Sequence, residues 1–152
     1  DQPRSRGLGD VYKRQPKPLQ ESIPIWVGGS SPGAIRRTAL RGDGWHPTGL
    51  SAEDYALTKR QIIDIATAAG RDSSKMEWST RVEVEVHGKP SSERASSRST
   101  LPGDHPDIVT AGIKSYEEAG VKHIVLALNS GDVDALKRLM ETIASEVIPE
   151  FK

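Results

Sequence analysis

Two glycines and two serines in succession form the first segment whose residue types could bind a ligand. The sequence GGSSPG at residues 28–33 follows a short apolar run and opens a helical run that extends to about residue 41. Gly28 and Gly29 carry no Cβ, so a ligand can approach their backbone closely. The first amides of a helix lack intrahelical acceptors and lie at the positive end of its dipole. The segment therefore suits an anionic group such as a phosphate, and a tight turn with an ordinary serine cap is the alternative.

A second segment, DGWHPT at residues 43–48, follows soon after in the chain. If it ends a short strand of a parallel sheet, Trp45 and Thr48 would lie at the carboxyl end, where ligands bind in such folds. The alternative is that Trp45 packs in the core and His46 caps a turn. The spacing of the histidines gives little support for a metal site.

Several classes of site are excluded by the residues present. The chain has neither a lysine placed as in a phosphate-binding Walker loop nor a GxGxxG fingerprint. Without cysteine it forms no disulfide, thiolate zinc site, iron–sulfur cluster or cysteine nucleophile. Glu83 and Glu85 share one face of a strand, and we interpret that face as solvated or as lining a barrel.

The overall charge and hydropathy argue against nucleic-acid and membrane partners. Lysine plus arginine and aspartate plus glutamate are each 21, so the net charge is zero. A nucleic-acid partner and a polybasic membrane surface are therefore not expected. The sequence contains no apolar run of about 18 residues, and its first residues do not resemble a signal peptide. We expect a cytoplasmic protein by default.

Hydrophobic periodicity predicts strands and helices in alternation. Strands are predicted at 23–29, 43–49, 76–86 and 121–128, and helices at 30–41, 51–70, 106–119 and 132–148. Strand followed by helix, repeated about four times, is typical of a parallel α/β sheet. A doubly wound sheet and a (β/α)8 barrel both fit. A full barrel needs about 250 residues, so four units make a small open sheet or half a barrel.

Two segments are not assigned to the core. Residues 1–15 have no helical or strand period, and GLGDVYKRQ at 7–15 resembles the translation of a cloning or sequencing adapter. A natural disordered arm is the alternative. We assign 16–152 to one domain with a mobile, serine-rich loop at about 87–104.

The sequence from residue 18 to the end resembles the luciferase-like flavin and deazaflavin monooxygenase family. The resemblance is strongest over residues 24–49, PIWVGGSSPGAIRRTALRGDGWHPTG, where a proline-led strand ends in small residues before a helix and a DGW turn. It continues in AAGRD at 68–72 and in YEEAGVKHIVLAL at 116–128. The GDGWHP variety looks most like the branch that uses coenzyme F420.

The resemblance implies a (β/α)8 TIM-barrel oxidoreductase or monooxygenase that uses F420 or, alternatively, FMN. By position it implies a substrate pocket with Trp45 and Thr48. It also implies cofactor-phosphate contacts along six consecutive or nearly consecutive residues: Gly28, Gly29, Ser30, Ser31, Gly33 and Ala34.

The match covers only the later half of the family's barrel, about four of eight βα units. The strands that carry most ring contacts and the acid and base residues are not in the chain, so we assign no catalytic residue. We expect a fragment of the C-terminal half, whose two open sheet edges favour self-association, such as a homodimer. Two other functions stay open: a half barrel that binds a phosphate ligand without catalysis, and a remnant with no ligand.

Overall fold

The computed structural model describes residues 22–86 and 99–151, in which parallel strands alternate with helices. In chain order the elements are β1 Trp26–Gly28, α1 Pro32–Arg41, β2 Gly44–His46, α2 Ala52–Ala68, β3 Glu77–Glu85, β4 Thr100–Pro102, α3 Pro106–Glu118, β5 His123–Asn129 and α4 Val133–Thr142. A π-helical turn, Ile143–Val147, and a 3₁₀ turn, Ile148–Phe151, follow α4.

The strands β1, β2, β3 and β5 lie side by side in that order. β1 pairs with β2, β2 with β3, and β3 with β5, all in parallel. The short β4 pairs with the last three residues of β3, on the edge that β5 leaves free. A doubly wound sheet reverses its strand order at a switch point, whereas barrel strands neighbour one another in sequence. The predicted α/β architecture of four barrel-like βα units is confirmed, and the doubly wound alternative is wrong.

The sheet has one covered face and one open face. The helix face carries Trp45, Trp78 and Val82, all buried under the helices. The opposite inner face carries Trp26 and Val125, each 40% exposed. β5, predicted as a buried strand, is therefore covered on one side only.

Two of the helices begin at serine caps. Ser31 and Ser51 cap α1 and α2, and their hydroxyls accept from the amides of Ala34 and Asp54. Gly70, just beyond α2, has a φ of +71°, which favours glycine.

The end of the chain departs from the single amphipathic helix predicted at 132–148. α4 ends at Thr142 and continues as the π-helical turn. The core stripe is Leu139, Ile143 and Val147, spaced four residues apart. Val133 and Met140, which also fit the helical spacing, are 68% and 54% exposed.

The segment predicted as a loop at 87–104 contains the strand β4 near its end, and residues 87–98 lie outside the described residues. β4 forms because the end of β3 has a free edge on which Thr100 to Pro102 can pair. The predicted arm at 1–15 also lies outside the described residues. In the part of the chain that the structure describes, no helix is long and apolar enough to cross a membrane.

Arg71, just after α2, closes the C-terminal end of α1. Its guanidinium donates to the carbonyl oxygens of Thr38 at 3.2 Å and Ala39 at 3.1 Å, and also to that of Gly42. The last carbonyls of a helix need such donor partners, and the Thr38 carbonyl also accepts from the Gly42 amide at 3.0 Å. One side chain thus holds together α1, the turn into β2 and the end of α2.

We expect Arg71→Met to lower the free energy of unfolding by about 2 kcal/mol, because charged hydrogen bonds to partly buried carbonyls are lost. Urea denaturation measures the change. Arg60→Met, at an exposed position in α2, is the control and should stay within about 0.5 kcal/mol of the unsubstituted chain. Equal losses for the two variants would contradict this capping role.

Candidate functional site

The glycine–serine loop, residues 28–34, joins β1 to α1 and is exposed up to residue 33. Gly29 has a φ of +86°, a conformation that residues with a Cβ rarely adopt. A Cβ at Gly28 would lie 3.7 Å from the His46 carbonyl oxygen, an ordinary contact, so packing alone does not require glycine there. Its lack of a side chain leaves the backbone open to a ligand.

The loop presents several unused amides. Within the described residues, the N–H groups of Ser30, Ser31 and Gly33 donate to no protein acceptor. The Ala34 amide differs, since it donates to the Ser31 hydroxyl at 3.3 Å and the residue is buried. Five of the six residues predicted along a phosphate therefore lie together and exposed, and the sixth is turned into the helix cap. The arrangement fits an anion at the positive end of α1.

The DGW turn at 43–45 holds β1 in place through each of its three residues. Asp43 accepts a hydrogen bond from the Ile25 amide at 2.9 Å. At Gly44 a Cβ would lie 2.8 Å from the Trp26 ring, so the glycine makes room for that indole. The turn therefore fixes both the start and the inner-face side chain of β1.

Trp45 lies on the helix face, with no exposed surface. Its ring packs 4.8 Å from the Tyr55 ring and meets Trp78 edge-on, and its Nε1 donates to the Gly29 carbonyl at 2.9 Å. Trp45 therefore packs in the core, which was the alternative interpretation of the sequence. Among the described residues, Trp45 lines no pocket surface because it is fully buried. It contacts the glycine–serine loop from the core side.

A groove of about 400 Å³ lies on the inner face beside β1. The strand register predicts it, because Ser79 pairs with His123 while His46 lies next to Gly28. Sequence analysis identified only part of this set, since strands distant in sequence supply it. Its lining residues are Trp26, Gly28, His46, Ser79, His123 and Val125.

His46 is the polar centre of this groove. Its Nδ1 lies 2.7 Å from the Ser79 hydroxyl oxygen, so His46 binds a neighbouring strand and does not cap a turn. Burial lowers the pKa of His46, and the nearby His123 and Arg81 lower it further. When the neutral ring accepts the Ser79 hydroxyl hydrogen at Nδ1, its Nε2 carries the proton and can donate.

The remaining candidates lie farther along the strands. Thr48 is exposed and forms an isolated parallel bridge with Arg81, and its substrate role stays a prediction. Glu83 lies 3.4 Å from the Arg81 guanidinium on the inner face, as expected for a solvated or barrel-lining carboxylate. Among residues 22–86 and 99–151, no group of three or more potential metal ligands comes together.

The family model for luciferase-like monooxygenases matches residues 6–140, most of the chain. The chain belongs to the luciferase-like monooxygenase family. No curated protein matches its sequence.

Two solved structures are similar to this luciferase-like chain in fold. One is an F420-dependent secondary alcohol dehydrogenase in complex with an F420-acetone adduct, with a TM-score of 0.64 and 17% identity. The other is the coenzyme F420 dependent tetrahydromethanopterin reductase from Methanopyrus kandleri, with a TM-score of 0.60 and 16% identity. The matches cover 88% and 86% of this chain, but only 50% and 51% of those proteins. The chain thus spans about half their length.

The lowered pKa of His46 predicts a pH-dependent stability. As pH falls through about 6.5, the unfolded state takes up the proton first, so the folded state loses stability until the lower folded pKa is passed. We expect His46→Asn, which does not titrate, to flatten the fall in unfolding free energy between about pH 7.5 and 5. Urea denaturation across this range is the measurement, with His105→Asn as a matched control. Equal slopes for His46→Asn and the unsubstituted chain would contradict it.

Proposed function

We propose that this chain is part of a luciferase-like oxidoreductase that binds coenzyme F420 by its phosphate at the glycine–serine loop, with FMN as the alternative cofactor. The main support is that the amides of Ser30, Ser31 and Gly33, at the positive end of α1, donate to no acceptor among the described residues. Family membership supports a flavin-like cofactor, and the two F420-dependent structures of similar fold favour F420 over FMN.

In this proposal the protein binds and orients, and the cofactor supplies the redox chemistry. When bound, F420 transfers hydride to or from a small organic substrate, whereas FMN would also support oxygen insertion. Ser30, Ser31 and Gly33 would donate to phosphate oxygens through their amides. The positive φ of Gly29 turns the chain into this arrangement without a side-chain clash.

Catalysis by the whole enzyme would require strands beyond those in this chain, which spans about half of its structural neighbours. We therefore propose activity for a longer parent protein and assign no catalytic residue here. Phosphate-ligand binding without catalysis is a second candidate, because the loop and both strands that hold it are within the chain. Cytoplasmic location and self-association through the open edges stay predictions.

Titration of the full chain with paired ligands tests the proposal. F420 is compared with its phosphate-free deazaflavin precursor, and FMN with riboflavin, by fluorescence. We expect each phosphate-bearing ligand to bind at least tenfold more tightly than its partner, a difference of about 1.4 kcal/mol. Equal affinities within both pairs would reject a phosphate site at the loop.

Gly29→Val provides a second test, with Gly70→Val as a matched control. Both glycines have positive φ, +86° and +71°, so both substitutions impose comparable backbone strain of about 1–3 kcal/mol. We expect only Gly29→Val to remove the preference for the phosphate-bearing ligand, because only Gly29 lies in the loop. Titrations should be done where circular dichroism shows both variants folded. An unchanged preference in Gly29→Val would show that the phosphate binds elsewhere.

A further inference from the structure

We propose that Trp45 is a positioning residue whose indole N–H sets the glycine–serine loop in its ligand-ready conformation. The inference rests on the proposed phosphate site and assigns Trp45 a role in affinity as well as in packing. Its basis is one hydrogen bond between the core and the exposed loop, from Nε1 of Trp45 to the carbonyl oxygen of Gly29, at 2.9 Å.

The indole is itself held firmly. Trp45 has no exposed surface, and its ring packs against Tyr55 and, edge-on, against Trp78. The Tyr55 hydroxyl donates to the Ser79 carbonyl oxygen at 3.3 Å, which attaches that ring to β3. Core side chains packed in this way occupy a single rotamer. The N–H of Trp45 is therefore a fixed donor at the base of a loop that is otherwise exposed.

Peptide geometry links this bond to the ligand side. In a trans peptide the C=O and N–H groups point in opposite directions. Because the Gly29 carbonyl is directed into the core toward Trp45, the amide of Ser30 in the same peptide is directed away from it. Ser30 N–H has no acceptor among the described residues, so it is available to a phosphate oxygen.

The flexibility of glycine explains why such an anchor matters. Gly28 and Gly29 are consecutive, and each can adopt many backbone conformations. Without the bond to Trp45, the peptide between Gly29 and Ser30 could rotate and direct its carbonyl oxygen toward the anion, which would repel it. A loop already in the binding conformation avoids an ordering cost when the ligand binds.

Trp45→Phe removes the donor and keeps an aromatic ring in the core. We expect it to reduce the ratio of F420 affinity to that of the phosphate-free deazaflavin by about three- to tenfold, the value of one net hydrogen bond. Tyr116→Phe is the matched control: it also removes one buried aromatic donor, whose hydroxyl donates to the Leu50 carbonyl oxygen at 2.7 Å and not to the loop. It should lower the melting temperature similarly and leave the affinity ratio unchanged.

A second variant guards against loss of folding. Benzothienylalanine at position 45 keeps the bicyclic shape and replaces the N–H by sulfur, so packing is preserved while the donor is lost. We expect the same reduced affinity ratio. A ratio equal to that of the unsubstituted chain in either folded variant would overturn the role of Trp45.

The outcomes separate the inference from the function on which it rests. An unsubstituted chain that binds F420 and the phosphate-free deazaflavin equally, and FMN and riboflavin equally, overturns the proposed phosphate site and the inference with it. An unsubstituted chain that prefers F420, together with variants that keep the full preference, overturns only the inference. An affinity ratio that falls about three- to tenfold in both Trp45 variants and is kept in Tyr116→Phe supports both.

Discussion

The attachment of β1 to the DGW turn is the contact on which the candidate site depends. β1 has only three residues and pairs with β2 alone within the described sheet. Asp43 binds the chain just before β1, and Trp45 binds Gly29 just after it. A strand this short has few backbone bonds of its own, so two side-chain bonds at its ends determine where it stops and how the loop leaves it.

Successive side chains of β2 point to opposite faces of the sheet, so this strand makes contacts on both faces. Trp45 points to the helices and supports the loop from the core, whereas Gly44 and His46 belong to the inner face. Gly44 leaves space for Trp26, and His46 reaches Ser79 on the next strand. One three-residue strand therefore contacts the glycine–serine loop on one side of the sheet and lines the groove on the other.

The two parts of the site differ in how complete they are within the chain. The glycine–serine loop has its strand, its helix and its supporting tryptophan among the described residues. The inner face, with Trp26 and Val125 each 40% exposed, is open, and the chain spans about half the length of two structures with the same fold. Local contacts can form a phosphate-binding loop, but a substrate pocket inside a barrel requires strands from all around it.

Sequence by itself predicted the repeating units and the exposed glycine–serine loop between β1 and α1. The caps at Ser31 and Ser51, the period-two pattern of β3 and the glycines at 28 and 29 are local signals, because the backbone geometry they favour extends over only a few residues. The resemblance to luciferase-like enzymes in residues 24–49 was likewise readable, and the family match confirms it. The same local signals predicted the last helix but not all of its core face, since Val133 and Met140 fit its period and are exposed.

Tertiary structure alone decided which partners these residues meet. His46 and Ser79 are 33 positions apart, and Trp45 and Gly29 are 16 apart, so no spacing rule connects them. The strand order is that of a barrel and not that of a doubly wound sheet, and the register of β3 with β5 pairs Ser79 with His123. Trp45, expected in a pocket wall, is buried in the core and donates to the Gly29 carbonyl from there. Such pairings depend on register between strands, because a shift of one residue would move each side chain to the other face.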